Sequence, residues 1–482
     1  MRTFHRLLPV ALTALVAFAA GCGLKGTVKP NSPPETTIFV QGAVDTVNHV
    51  VHLYWFGSDV DGTVTGYQIR MLNPVQPAET AWVYTTRTDS VFTLQAPGGY
   101  TAPRFEVRAI DNLNQVDPTP AVEDFQFSNQ PPTVRFVQKP ALTDTTFASV
   151  SVTWTAADID GDPNQISFRL WLDGQSADPI NTMDRAFTIP TSRFTSGPYA
   201  SRYRRLYIQP IDDGGRLGAI DSVTWFVRSP VPDSTKRARL LIVDDVLSSE
   251  PSNTATDNLF NTVTATKLPA GTFSVLRLRT PLIWSTPKDV EQTFKLFDAV
   301  VWYRGIVTSF PSNLRNFSDG ITAYLDGGGK MYVEGLNLTS STNITGAFSL
   351  GFVDKYLDVD YQFQNYGATD SVVTWGTVLG SKIYSTTLND SLIARAIVTN
   401  LRGMRPRVAS AVLLEAPVGN LTPSNTTPMA VAVNVPQRNG GRLVFNTYPL
   451  VISTVASTNP PFPARAQAVL GKIYDLLGLQ DP

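Results

Sequence analysis

Two patterns of apolar residues divide the chain near residue 230. Between residue 35 and about 230, short runs alternate apolar and polar positions or are rich in β-branched residues, and turn residues separate them. Alternation with a period of two buries one face of a strand, and many short strands in succession favour β-sandwiches. The clearest strands are predicted at residues 49–55, 64–71 and 105–110.

Beyond residue 236 the apolar runs become continuous, which is typical of parallel strands buried on both faces. These runs predict strands at 239–243, 298–302, 330–334 and 442–446. Helices are predicted at 256–265, 286–296, 314–325 and 464–477, the second with Thr286 as N-cap and Pro287 in its first turn. Strands that alternate with helices predict a parallel sheet, and the polar stretch 339–440 is predicted to be an insertion with short strands and loops.

An internal repeat occurs within the β-rich part. The segment VHLYWFGSDVDG at 51–62 matches VSVTWTAADIDG at 150–161, and VRAIDN at 107–112 matches IQPIDD at 208–213. This pattern resembles tandem fibronectin type III or related immunoglobulin-like modules. The resemblance implies sandwiches with a buried Trp on the second strand (Trp55 and Trp154) and a Tyr on the third strand (Tyr67).

The C-terminal part also resembles a known superfamily. Its order LLIVDD, FDAVVWY and ITAYLDGGGKMYVEG is similar to class I glutamine amidotransferase-like domains, which have a flavodoxin-like α/β fold. The superfamily's enzymes place a nucleophilic Cys on a strand-to-helix elbow beside an activating His. Here the elbow reads Glu334-Gly335-Leu336, and all histidines lie at or before position 52, so this domain cannot form a Cys–His triad.

The first residues predict export. Arg2 and Arg6 precede an apolar run at 7–20, which is too short to span a membrane but typical of a signal peptide. The run ends in Ala-Ala-Gly-Cys, which resembles the lipobox of bacterial lipoproteins. The resemblance implies that Cys22, the only cysteine, is acylated and anchors the protein in a membrane. Gly23 after it favours the outer membrane.

Composition narrows the partners. The formal net charge is −1 with no basic run, which argues against nucleic acid as a partner. A single cysteine leaves no intrachain disulfide and no Cys-based metal site, and no cofactor is expected. The predicted organisation is a signal peptide at 1–21, a lipidated tether at 22–34, sandwich modules at 35–128 and 129–230, and an α/β domain at 236–482.

A ligand crevice is predicted where the parallel strands end, because open α/β sheets bind ligands beyond their carboxyl ends. The residues expected there are Asp244, Asp245, Arg304, Glu334 and Asn337. The alternative interpretation is structural, with Asp244 capping the following loop and Arg304 paired with Glu334. That interpretation is the favoured one.

Acidic turns in the two repeats are weak calcium candidates. Carboxylates at alternate positions can converge on a hard cation, and the residues in question are Asp59, Asp61, Asp158, Asp160 and Asp162. Their spacing departs from that of an EF-hand, and Asp and Gly are ordinary residues of tight turns. The turn interpretation is therefore favoured, and no metal is firmly predicted.

The favoured function is a non-enzymatic binding or scaffolding protein of the cell envelope, with an envelope protein or glycan as its partner. The alternative is a hydrolase that acts on glycans or peptides through Asp and Glu in the α/β crevice, since two carboxylates about 5–10 Å apart can perform acid–base chemistry. Two carboxylates facing one cleft would favour the enzyme, and a filled crevice would favour scaffolding.

Overall fold

The computed structural model describes residues 29–40, 50–72, 81–194, 199–246, 253–278, 284–307, 312–336, 338, 348, 352, 356, 382–385, 387–393, 411–417, 426–434, 441–453 and 462–480. They form two compact units. The N-terminal unit contains the described residues up to 132 with segments 158–166 and 211–218, and the C-terminal unit contains the rest. Among the described helices, none is long and apolar enough to cross a membrane.

The first module is a β-sandwich. Its sheets have the strand orders β1-β2-β5 and β4-β3-β7-β8, with β6 and β9 as a short extra pair. Trp55 and Phe105 pack in its core, and the Tyr67 hydroxyl accepts a hydrogen bond from the Gly57 amide at 3.0 Å. The strands are β1 Glu35–Val40, β2 Val50–Ser58, β3 Val64–Leu72, β4 Val83–Thr85, β5 Asp89–Thr93, β6 Tyr100–Thr101, β7 Arg104–Asp111, β8 Ala121–Asp124 and β9 Phe127–Ser128.

The second module is also a β-sandwich, so the predicted tandem sandwiches are confirmed. Its sheets have the orders β10-β12-β15 and β11-β17-β16-β13-β14. Trp154 packs edge-on against Phe168 at 5.3 Å between ring centroids, and Trp225 is fully buried. The elements are β10 Thr133–Gln138, β11 Thr145–Thr146, β12 Val150–Ala157, β13 Ser167–Leu172, β14 Ile180–Thr182, β15 Ala186–Ile189, α1 Thr191–Phe194, β16 Arg202–Ile211 and β17 Asp221–Val227.

The C-terminal domain is built on a mixed sheet of the order β19-β18-β20-β21-β26-β25-β24-β22-β23. The first five of these strands are parallel, and the rest are antiparallel. Its strands are β18 Leu240–Asp244, β19 Phe273–Arg277, β20 Ala299–Tyr303, β21 Lys330–Glu334, β22 Lys382–Ser385, β23 Asp390–Ile393, β24 Ala411–Pro417, β25 Thr426–Asn434 and β26 Arg442–Asn446. Its helices are α2 Asn253–Lys267, α3 Pro287–Phe294, α4 Ser312–Asn316, α5 Ser318–Asp326 and α6 Phe462–Leu476.

Helices cover both faces of the parallel strands. Leu240 and Ile242 of β18 pack in one core with α2 and α6, whereas Leu241 and Val243 pack in the other with α3 and α5. Both sets must therefore be apolar, which explains why the strand shows no alternation.

The strand order positions the site. Numbered along the chain, the five parallel strands have the order 2-1-3-4-5, so the winding direction reverses between β18 and β20. A crevice opens at such a reversal, beyond the carboxyl ends of the strands.

Three details differ from the predicted elements. The sequence analysis missed β19, because this edge strand alternates instead of forming a continuous apolar run. The helix predicted at 314–325 is two helices that meet at Phe317. Within the polar stretch 339–440, the described strands β22–β25 extend the sheet.

The start of α3 gives a testable stability prediction. Thr286 and Asp289 form a reciprocal capping box, in which each side chain bonds the backbone amide of the other residue. Thr286→Ala is expected to lower the free energy of unfolding by about 1 kcal/mol, whereas Thr286→Ser should keep the cap. Urea titrations of the three proteins measure the difference. Equal losses in both variants would show that the cap contributes nothing.

Candidate functional site

The reversal point between β18 and β20 is occupied by a buried ion pair. Asp245 follows β18 and Arg304 follows β20, and Arg304 Nε lies 3.2 Å from Asp245 Oδ2. The side chains are 9% and 4% exposed, so solvent does little to screen their attraction.

Two further donors complete this cluster. Trp302 Nε1 donates to Asp245 Oδ2 at 3.2 Å, and Asn313 Nδ2 donates to Asp245 Oδ1 at 2.7 Å. Burial raises the pKa of the Asp245 carboxyl, while Arg304 and these donors act in the opposite direction. Burial lowers the pKa of the Arg304 guanidinium, and Asp245 opposes that shift. Both oxygens of the carboxylate are therefore engaged within the protein.

Asp244 belongs to a neighbouring network. Its Oδ1 accepts from the Val246 amide at 3.0 Å, so it caps the following loop, and its Oδ2 lies 3.2 Å from Arg277 Nε. Arg277 also contacts Asp257, whose Oδ1 accepts from the Tyr303 hydroxyl at 2.7 Å. Burial raises the pKa of the Asp244 carboxyl. The capping role matches the structural interpretation of this residue.

The expected ion pair between Arg304 and Glu334 is wrong. Glu334 Oε2 accepts from the Tyr332 hydroxyl at 2.5 Å and from Asn446 Nδ2 at 3.3 Å. The cause is strand alternation: Arg304 lies two residues after Trp302, on the face covered by α3 and α5. Glu334 lies two residues after Tyr332, on the opposite face.

Glu334 is completely buried, and burial raises the pKa of its carboxyl to about 7, although Tyr332, the Leu450 amide and Asn446 favour the charged form. A carboxyl with this pKa carries a proton about half of the time at neutral pH. Glu334 is the last residue of β21.

Not every predicted site residue can be placed. Asn337 and Cys22 lie outside the described residues. Six residues whose side chains belong to these clusters were not predicted, namely Trp302, Asn313, Arg277, Asp257, Tyr332 and Asn446. Asn446 had a usable signal, because it ends a strand that was predicted from the sequence.

The acidic turns have local hydrogen bonds. Asp59 Oδ1 accepts from the Asp61 amide at 3.1 Å, and Asp158 Oδ1 accepts from the Asp160 amide at 3.3 Å. These bonds are those expected of Asp in tight turns. Asp162 is exposed and caps a short 3-10 turn by accepting from the Asn164 amide at 2.8 Å. Its role is therefore that of a helix cap, unlike that of Asp158 and Asp160.

A separate cleft of about 410 Å³ lies within the C-terminal unit, between strands of the second sandwich and the α/β domain. Its charged lining residues are Lys139, Asp144, Arg228, Arg277 and Asp289. The volume suits a small polar ligand. Neither Asp245 nor Glu334 lines this cleft.

These features define a protein of two β-sandwich modules followed by an α/β domain. The polar side chains at the ends of its parallel strands are buried and bonded to neighbouring side chains. No protein-family model matches the sequence, and no curated protein matches it. Solved structures do show similarity. The fibronectin(III)-like modules of Clostridium thermocellum CbhA are 16% identical with a TM-score of 0.20, over 40% of this chain and 94% of theirs.

Two other solved structures also show similarity. The N-terminal domain of mmIFT52 is 10% identical with a TM-score of 0.30, over 49% of this chain and 97% of that one. A 1.5-MDa bacterial ice-binding adhesin studied for host cell surface retention is 10% identical with a TM-score of 0.17, over 44% of this chain and 68% of that one. All three TM-scores are below 0.5, so the fold is assigned from the strands and helices of this chain and not from these similarities.

Proposed function

We propose that this chain is a non-enzymatic binding or scaffolding protein of the bacterial cell envelope, in which two sandwich modules present the α/β domain to a partner. The observation that supports this function is the filled crevice. Asp245 and Arg304 neutralise each other at 9% and 4% exposure, and Glu334 is completely buried. General acid–base catalysis needs such groups within hydrogen-bond reach of a substrate.

The α/β domain is proposed to be a catalytically inactive, flavodoxin-like relative of the amidotransferase superfamily. Two observations support this assignment. The parallel strands have the order 2-1-3-4-5 that flavodoxin-like folds share. The elbow position after β21 holds Glu334 and Gly335 where the superfamily's enzymes have their nucleophile.

The experiment that tests the function compares binding with turnover. The purified protein is immobilised and exposed to envelope extract and to a glycan array, and in parallel is incubated with peptidoglycan, oligosaccharides and peptides. We expect saturable binding of a defined envelope protein or glycan and no hydrolysis. Hydrolysis that disappears in Glu334→Gln would instead establish the hydrolase alternative, for which a carboxyl with a pKa of about 7 would serve as general acid.

Anchoring at the outer membrane through Cys22 is part of the proposal and has its own test. Two or more acyl chains hold a protein stably in a bilayer. We therefore expect the protein to fractionate with membranes and to incorporate labelled palmitate, whereas Cys22→Ser should do neither. Membrane fractionation that persists unchanged in Cys22→Ser would contradict a lipid anchor.

A further inference from the structure

The two sandwich modules share a three-part arrangement of polar residues at their N-terminal ends. Each module is preceded by an Asn-x-Pro-Pro segment, contains an Asp-x-Asp-Gly turn directly after β2 or β12, and carries an Asp-Asn or Asp-Asp pair at the end of β7 or β16. In the first module these are residues 31–34, 59–62 and 111–112, and in the second they are 129–132, 158–161 and 212–213.

The structure brings the three parts together in the same way twice. In the first module, the Ser32 amide donates to Asp61 Oδ2 at 3.1 Å, and Asn31 Nδ2 donates to Asp111 Oδ2 at 2.5 Å. The second module repeats these contacts. The Gln130 amide donates to Asp160 Oδ2 at 2.7 Å, and Asn129 Nδ2 donates to Asp212 Oδ1 at 3.3 Å.

Carboxylate oxygens in these clusters are buried without a donor. Asp212 is only 5% exposed, and its Oδ1 accepts from the Arg216 amide and from Asn129. Its Oδ2 is buried and meets no hydrogen-bond donor within the part of the chain that the structure describes, and the same is true of Asp158 Oδ2, Asp160 Oδ1 and Asp59 Oδ2. A buried acceptor left without a partner is costly. Asp59 Oδ2 and Asp158 Oδ2 occupy equivalent positions in the two modules, so each cluster has a buried acceptor oxygen that a ligand could engage.

In each module, side-chain oxygens of the acidic turn and of the pair at the later strand end lie close to the glycine of the Asp-x-Asp-Gly turn. A Cβ atom on Gly161 would lie 2.6 Å from Asp158 Oδ2 and 3.1 Å from Asp213 Oδ1. A Cβ atom on Gly62 would lie closer still to Asp59 Oδ2 and Asn112 Oδ1. In both modules, therefore, an oxygen of the acidic turn and an oxygen of the strand-end pair lie against the same glycine.

The second cluster is strongly negative. Burial, together with the charges of Asp160 and Asp212, raises the pKa of the Asp158 carboxyl to about 6. Burial also raises the pKa of Asp212, and Asp213 and Asp160 add to that shift. Arg216, whose backbone amide donates to Asp212, directs its guanidinium to the carbonyl oxygen of Asn129. A cation placed among these carboxylates would relieve both the repulsion and the desolvation.

We propose that each cluster binds one divalent, oxygen-preferring cation, with Ca²⁺ as the best fit. Asp59, Asp61, Asp111 and Asn112 would supply oxygens in the first module, and Asp158, Asp160, Asp212 and Asp213 in the second. Ca²⁺ accepts six to eight carboxylate and carbonyl oxygens in flexible geometry. Among the described residues, no three carboxylates already surround one point at metal-binding spacing, so binding would draw each acidic turn towards its strand-end pair.

Calorimetry and thermal unfolding of the EDTA-treated protein test the proposal. We expect about two Ca²⁺ ions to bind with a Kd of about 10⁻⁴–10⁻³ M, the range of extracellular modules. A ligand at about 100 times its Kd stabilises the protein enough to raise the Tm by at least about 4 °C. Mg²⁺ at the same concentration should have a smaller effect, because it demands octahedral geometry.

Matched variants locate the sites. Asp59→Asn and Asp158→Asn should each remove one ion, and the double variant should bind none. Asp162→Asn is the control, since it removes a charge from the same loop at an exposed residue whose side chain accepts from the Asn164 amide. Without calcium, the Tm of Asp158→Asn should equal or exceed that of the unaltered protein, because repulsion is relieved; if this variant does not fold, Asp160→Asn replaces it.

Two results would overturn the proposal. One is the absence of binding heat and of any Tm change when up to 10 mM CaCl₂, which is about 100 times a Kd of 10⁻⁴ M, is added to the unaltered protein. The other is a calcium response that survives in the double variant, which would show that ions bind only elsewhere on the surface.

Discussion

Arg304→Leu is expected to lower the free energy of unfolding of the C-terminal unit by about 3–5 kcal/mol. Removing the guanidinium leaves the Asp245 carboxylate, which is 9% exposed, with Trp302 and Asn313 as neutral donors. Removing one partner of a buried ion pair is strongly destabilising, because the remaining charge is left without a counter-charge and away from water. Burial already raises the pKa of this carboxyl, and loss of the guanidinium, which opposes that shift, is expected to raise it further.

Denaturant unfolding of three variants tests this prediction. The double variant Asp245→Asn with Arg304→Leu should recover part of the loss, because no isolated charge remains. Lys267→Met is the control in the same domain. It breaks a pair with Asp475 in which both side chains are about 30% exposed, and should cost less than about 1 kcal/mol. Equal losses in Arg304→Leu and Lys267→Met would contradict the assigned role of the buried pair.

The second large effect is a loss of stability as the pH rises, caused by Glu334. Its carboxyl releases its proton near the ordinary value of 4.5 in the unfolded chain and only near pH 7 in the folded protein. Between these values the folded state binds more protons, so this group makes the free energy of unfolding fall as the pH increases. The fall amounts to about 3 kcal/mol between pH 4 and pH 8.

Glu334→Gln removes the titrating proton, so the difference in stability between this variant and the unaltered protein should change by about 3 kcal/mol over that pH range. Glu291→Gln is a control of opposite sign. Lys288 and Lys295 lie 2.5 Å from Glu291 and outweigh its burial, so its pKa is lowered. Glu291 therefore contributes stability above pH 4.5 that is lost as the pH falls. A pH profile unaltered by Glu334→Gln would show that this carboxyl is ionised in the folded state.

The side-chain periodicity predicted most of the architecture. Alternation around Trp55 and Trp154 indicated sandwich strands, and the continuous apolar runs at 239–243 and 298–302 indicated strands covered on both faces; the structure shows both. The edge strand β19 was missed because only one of its faces is well buried, and an edge strand of five residues lacks the signal of a central one.

The candidate sites were less predictable. The sequence placed Asp245, Arg304 and Glu334 at neighbouring strand ends, but the pair favoured from it, Arg304 with Glu334, was wrong. The pleat decides this: Arg304 and Glu334 occupy opposite faces of the sheet, and only Asp245 shares the face of Arg304. The acidic turns were found as isolated motifs. Their tertiary contacts join distant residues: Asp160 accepts from the Gln130 amide 30 positions away, and Asp212 accepts from Asn129 83 positions away.

By itself the sequence determined what depends on local chemistry: the types of element, the repeat of the two modules, and the lack of a Cys–His pair in the C-terminal domain. Only the tertiary structure decided which polar groups meet. It placed Asp245 against Arg304, isolated Glu334 among Tyr332 and Asn446, and gathered the oxygens of the acidic turns. The physical reason is that strand patterns depend on neighbours along the chain, whereas pKa shifts and unpaired oxygens depend on burial between distant segments.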